Sequence, residues 1–125
     1  MLIIKASFVA AILSSLLFWE AYCALAVMID QTWSGLEHGV WSEAVTFKTE
    51  DVEKEVKHPE SRADCLFLKY NHDHNHTHVK NVGTIPVIYV LHDHHRGKCT
   101  AETKIEPNQM HALMSDYASI YIKKK

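Results

Sequence analysis

Through most of the sequence beyond residue 26, apolar and polar positions alternate over short stretches separated by turn-forming residues. Residues 41–47 (WSEAVTF) set Trp41, Val45 and Phe47 in one phase and Ser42 and Thr46 in the other, although Glu43 falls on the apolar phase. A period of two marks a strand with one buried face. Residues 63–70 (ADCLFLKY) read as a further strand, which the polar run 71–82 extends to a turn near Asn81-Val82-Gly83. Residues 84–91 (TIPVIYVL) are the richest in β-formers, and Pro86 assigns them to an edge, a bulge or a strand start. A turn is expected over 92–97, and 98–105 alternate again. Pro107-Asn108 break the chain, and 110–122 finish in a strand-like run. Two stretches differ. Residues 30–40 carry Trp33, Leu36 and Val40 at helical spacing, interrupted by Gly35 and Gly39, which predicts a short, irregular helical lead-in. Residues 49–60 (TEDVEKEVKHPE) are charged and end at Pro59, as a loop or short exposed helix would. The expected fold is mainly β, an antiparallel meander that is closed or half closed, behind a helical lead-in.

The N-terminus has a different character. Lys5 precedes a charge-free apolar stretch over 6–19, Glu20 ends it, and Ala24-Leu25-Ala26 offers a small-residue cleavage signal, with Ala21-Tyr22-Cys23 as a second choice. These are the parts of a secretory signal peptide. A membrane anchor needs about 20 apolar residues and would have to hold Glu20 near its centre, so no stable anchor is expected. The expected division is a signal peptide over 1–26 and one small β-rich domain over 27–125, secreted. Cleavage removes Lys5 and Glu20 and leaves the net charge at −2. No basic excess points to a nucleic-acid partner.

Of the three cysteines, Cys23 leaves with the leader, and Cys65 and Cys99 remain. In an oxidising compartment the pair reads as one disulfide, with an intermolecular bridge or metal ligation as the alternatives. Asn75-His76-Thr77 is an N-glycosylation acceptor.

Ten histidines make the chain histidine-rich. His72, His74, His76 and His78 recur at every second position, so an extended strand points them to one face. His92, His94 and His95 form a second cluster beside Asp93. Neutral imidazoles so spaced can chelate zinc or copper. The other reading is that histidine serves as a polar turn residue that makes the surface sensitive to pH near 6. No resident cofactor is expected. Motifs of metalloproteases, serine hydrolases and phosphate-binding loops do not occur, and the expectation is a protein that is not an enzyme.

Two motifs in this arrangement resemble those of the lipocalins. Gly39-Val40-Trp41, after an irregular lead-in, is similar to that family's G-x-W. Ser115-Asp116-Tyr117, followed by ASIYI, is similar to its T-D-Y with Ser for Thr. Cys65 sits where many arthropod salivary lipocalins carry a cysteine. The resemblance implies an indole that plugs one end of a barrel and a later strand brought beside the first. Lipocalins continue past T-D-Y for one or two strands and a helix. This sequence runs to Lys125, so a partial or small barrel is implied. In the plainer reading, Trp41 and Tyr117 are core aromatics. The resemblance further implies a non-enzymatic binding protein holding a small apolar or amphipathic ligand against Trp41, Leu66, Leu68, Val87, Tyr89 and Tyr117, as a salivary effector sequestering a host mediator. Two alternatives stand beside it: an extracellular zinc- or copper-binding protein, and a secreted, toxin-like effector that engages a host protein.

Overall fold

A computed structural model describes residues 24–72 and 76–125. Residues 1–23 of the leader expected over 1–26, together with Asp73, His74 and the acceptor Asn75, lie outside the described residues. What is described is built from strands and turns. Eleven strands follow in chain order: β1 (Leu25–Ala26), β2 (Gln31–Thr32), β3 (Val45–Lys48), β4 (Glu53–Lys57), β5 (Asp64–Asn71), β6 (His76–Asn81), β7 (Val87–Asp93), β8 (Lys98–Cys99), β9 (Thr103–Ile105), β10 (Met110–Leu113) and β11 (Tyr117–Ile122).

They form two sheets. The first has the order β1-β10-β6-β5-β4, and the second β2-β8-β7-β11-β3, with β9 pairing along β7 beyond β8. All pairings are antiparallel except β1 against β10. Among the described residues the chain changes sheet five times, between β1 and β2, β3 and β4, β6 and β7, β9 and β10, and β10 and β11, so the hydrogen-bond ladder runs in two open sheets. No closed barrel forms among the described residues, and the expected meander survives locally in β4-β5-β6.

The core lies between the sheets. Leu66, Leu68 and Tyr70 of β5 and Val79 of β6 meet Val87, Tyr89 and Leu91 of β7 and Ala118, Ile120 and Ile122 of β11. Period-two alternation supplies these residues, since every second side chain of each strand turns inward. Asn81, fully buried, ties the two layers. Its Nδ2 donates to the carbonyls of Ile85, at 2.9 Å, and Ile105, at 3.0 Å, while its Oδ1 accepts from Gly83 N at 2.9 Å. This pin anchors the β6–β7 crossover, and Pro86 falls just before the strand, as its missing N–H requires.

A second apolar cluster covers the other face of the second sheet. Val90 and Cys99 pack with Trp41, and Trp33, Leu36, Val40, Ile88 and Tyr121 close around them. The segment over 30–40 therefore follows the sheet as a strap instead of the expected helix. Gly35 and Gly39 have φ of +94° and +82°, a conformation that breaks helical continuity and that glycine adopts at little cost. The helical spacing picked out the right contact residues in the wrong backbone.

Three further differences have plain causes. Residues 49–60 were expected as loop or helix but contain β4, an edge strand whose Val56 turns inward and whose Lys54 reaches the Thr46 carbonyl at 2.7 Å. Charge suits an edge because it discourages further pairing. The polar run 71–82 contains two segments, the end of β5 at Asn71 and a separate β6 from His76, which pair antiparallel. The first long strand begins at Val45 rather than Trp41, which makes only a single bridge to Lys123.

One polar residue lies in the core. His111 of β10 is fully buried, with Nδ1 2.8 Å from the Tyr89 hydroxyl and Nε2 without a hydrogen-bond partner among the described residues. Burial holds its pKa below the ordinary 6.5. Burial likewise lowers His92, reinforced by the neighbouring His94. The unfolded chain therefore binds more protons than the folded one below about pH 6.5, and stability falls as pH drops through that range. His111→Leu should flatten the dependence of unfolding free energy on pH below 6.5, as read from urea melts. Ile120→Ala, which opens a cavity at the sheet interface, should lower stability by about 2–5 kcal/mol at any pH.

Candidate functional site

The six residues expected to line a ligand cavity do not share one. Leu66, Leu68, Val87 and Tyr89 are each 3% exposed or less and fill the space between the sheets with their own side chains. Burial raises the Tyr89 hydroxyl above its ordinary value. Trp41 lies on the opposite face of the second sheet, in the strap cluster, with Lys123 Nζ 5.8 Å from its ring centroid. Tyr117 stands half-buried under Lys48 Nζ at 5.2 Å. One implication of the two motifs is met. The strand after Trp41 pairs with the strand after Ser115-Asp116-Tyr117, Phe47 opposite Ala118 and Val45 opposite Ile120. The indole, however, packs on the outside of the second sheet and plugs no barrel.

The histidines divide by face. His92 and His94 follow one another on the strap side, ring centroids 4.5 Å apart. The Trp33 indole lies flat on His92 at 4.0 Å and 7°, and His94 Nε2 sits 2.6 Å from the Ser119 hydroxyl. His95 is exposed, with Nε2 3.5 Å from Asp116 Oδ1. The neighbouring Asp93 is buried and builds the turn. Its Oδ1 accepts from His95 N and Arg96 N, its Oδ2 from Arg96 Nε at 2.9 Å, and Gly97, at φ +63°, completes the reversal. Burial would raise the Asp93 carboxyl, but the Arg96 side-chain and backbone hydrogen bonds outweigh it and hold the group below its ordinary range. This cluster is a hydrogen-bonded turn on an aromatic wall. Among the described residues, no three His, Cys, Asp or Glu side chains converge as metal ligands.

His72, His76 and His78 belong to the first sheet. His76 and His78 project from β6, opposite Asn71 and Lys69 of β5. His72 turns its edge to the Tyr70 ring, centroids 4.7 Å apart. Here the molecule has its principal open groove, of about 660 Å³, on the side of the first sheet that faces away from the core. Its apolar surface comes from Phe67 and Met110, with the edge of Tyr70. Lys69 and Lys80 supply cations, and Asn71, His72 and His78 complete the wall. Register explains the mixture. Phe67 stands opposite Lys80, Lys80 opposite Met110, and Lys69 opposite His78, all in the outward phase of three adjacent strands. The lysine stems extend the apolar surface while their ammonium groups remain wet. No carboxylate lines the groove among the described residues. Glu53 approaches Lys69 at 3.9 Å, but both are more than half exposed, and such a pair contributes little.

Phe67, Lys69, Lys80 and Met110 were not singled out from the sequence. The available signal was Phe67, an aromatic in the polar phase of an otherwise regular strand. His111 was also passed over, although it shares a phase with Leu113 of β10.

The two cysteines are free and buried, on different sides of the second sheet. Cys65 sits at a bulge of β5 inside the intersheet core, its Sγ 3.4 Å from the Val56 carbonyl. Cys99 belongs to the strap cluster. The second sheet separates them, so the expected intramolecular disulfide is not formed. Burial pushes the Cys65 thiol up to about 11 and raises Cys99 as well.

No family model matches the sequence, and no curated protein or solved structure matches the chain; nothing in these comparisons identifies the lipocalin family.

Because the thiolate is the reactive form, neither cysteine should react with a thiol-specific disulfide reagent within minutes in native buffer. Both should titrate promptly in denaturant without reductant. Fewer than two thiols per denatured chain would show that a bridge had formed.

Proposed function

We propose that this protein is a secreted, non-enzymatic binding protein that holds a small amphipathic anion in the groove on the outward face of the first sheet. The observation that carries this reading is the composition of the groove: an apolar floor of Phe67 and Met110 beside two lysines, Lys69 and Lys80. Its volume of about 660 Å³ falls in the range of small-molecule sites. An alkyl chain or aromatic ring of the ligand lies on Phe67 and Met110, removing apolar surface from water at about 25 cal/mol per Å². An acidic head meets Lys69 and Lys80, forming charge-assisted hydrogen bonds. His72 and His78 add polar contacts that select among head groups.

This departs from the lipocalin expectation in one respect. The ligand class is retained, but the site moves from the space between the sheets, which side chains fill, to a face of one sheet. The lysines make the preference directional: a fatty acid or an aromatic acid is favoured over an amine of the same size.

The test uses 8-anilinonaphthalene-1-sulfonate as a fluorescent probe, displaced by dodecanoate. One probe should bind per chain and be displaced by dodecanoate, and dodecylamine should displace it poorly. The Lys69→Glu, Lys80→Glu pair should weaken binding about tenfold or more, corresponding to about 1.4 kcal/mol. Phe67→Ala should weaken it with little change in the preference for acid over amine. Unchanged binding in the lysine pair, or no displaceable stoichiometric binding, would overturn the proposal.

A further inference from the structure

The sequence offers two histidine groups, the row over 72–78 and the cluster over 92–95, and the structure gives them different chemistry. On the strap side His94 Nε2 is 2.6 Å from the Ser119 hydroxyl, and the His92 ring is stacked flat against Trp33. On the first sheet a different geometry holds. His76 and His78 have ring centroids 4.6 Å apart with planes crossed at 69°, and their Nε2 atoms approach to 2.9 Å. Two neutral imidazoles this close bring one N–H and one lone pair to the same point, and a tautomer shift that moves that proton to Nδ1 of the same ring leaves two Nε2 lone pairs converging there.

From this geometry we infer that His76 and His78 form a two-imidazole clip for a single first-row transition ion, the remaining coordination positions being taken by water. Imidazole binds zinc at about 2.0–2.1 Å, which at a tetrahedral angle puts two ligand nitrogens about 3.3 Å apart. A small ring rotation opens the 2.9 Å contact to that span. The backbone beneath is fixed, because β6 is hydrogen-bonded to β10 on one side and β5 on the other. That ladder supplies the rigidity that a histidine-rich turn lacks. Among the described residues no third His, Cys, Asp or Glu completes the set. By the usual order of divalent affinities, Cu²⁺ binds more tightly than Zn²⁺. This site goes beyond the anion-binding reading and does not depend on it.

The test titrates the untagged protein with Cu²⁺ or Zn²⁺ alone, by calorimetry, with zinc-dependent shifts of the histidine ring signals in ¹H–¹⁵N spectra as an independent readout. One equivalent should bind, copper ahead of zinc, and His76 and His78 should shift first. The His76→Asn, His78→Asn pair should lose about tenfold or more in affinity, while His92→Asn, His94→Asn leaves it unchanged. Lys69→Glu, Lys80→Glu should retain metal binding, which separates this site from the anion groove. Metal binding unaltered in the His76/His78 pair, or no saturable binding at millimolar metal, would overturn the inference. In the wild-type protein, ring shifts confined to His92 and His94 would do the same.

Discussion

Burial of β7 on both faces is the constraint on which the rest of the structure depends. Tyr89 and Leu91 face the intersheet core, while Val90 and His92 face the strap, and β11 on one edge with β8 and β9 on the other take up its backbone bonds. A strand with no wet face needs apolar side chains in both phases, which is why 84–91 read as an unbroken apolar run. The second sheet is therefore the middle of three layers, between the first sheet and the strap. Sandwiched in this way, it leaves little room for a ligand. Among the described residues the first sheet has its outward side uncovered, and that asymmetry places the groove and the His76–His78 pair together on one surface.

Much of the strand content was legible, for a physical reason. β5, β7 and β11 are long, rich in β-branched and aromatic residues and bounded by turn formers, so local pattern and tertiary role agree. β4 was hidden because an edge strand with one inward apolar residue, Val56, looks like solvated chain; pairing with β5 decides its conformation. The strap was misread because the packing of Trp33, Leu36 and Val40 on a flat sheet mimics helical spacing. Pairing the cysteines from their number failed for want of direction. A count of thiols does not reveal that Cys65 faces the core and Cys99 the strap.

The groove was less legible than the fold, since it is assembled across strands. Phe67, Lys80 and Met110 are far apart in sequence and become neighbours only through the register of β5, β6 and β10. The close approach of His76 and His78 is the opposite case, visible as a spacing of two once β6 is known to be a strand. His72 belongs to the same row in sequence but not to the same ladder. Strand pairing therefore divides the histidines by what their backbones do.

The strap is stitched to β11. Trp41 bridges Lys123, Ser42 N donates to the Ile122 carbonyl at 2.8 Å, and Lys124 N donates to that of Val40 at 2.8 Å. β11 also fills the gap between β3 and β7, both made long before it. During synthesis the second sheet therefore stays divided until its inner strand emerges from the ribosome, and Val90 has no strap to cover it. Contacts of such sequence separation make for slow folding, and an incomplete sheet with bare edges invites association between nascent chains. Arrival of the last strand thus both completes the second sheet and removes its exposed inner edges.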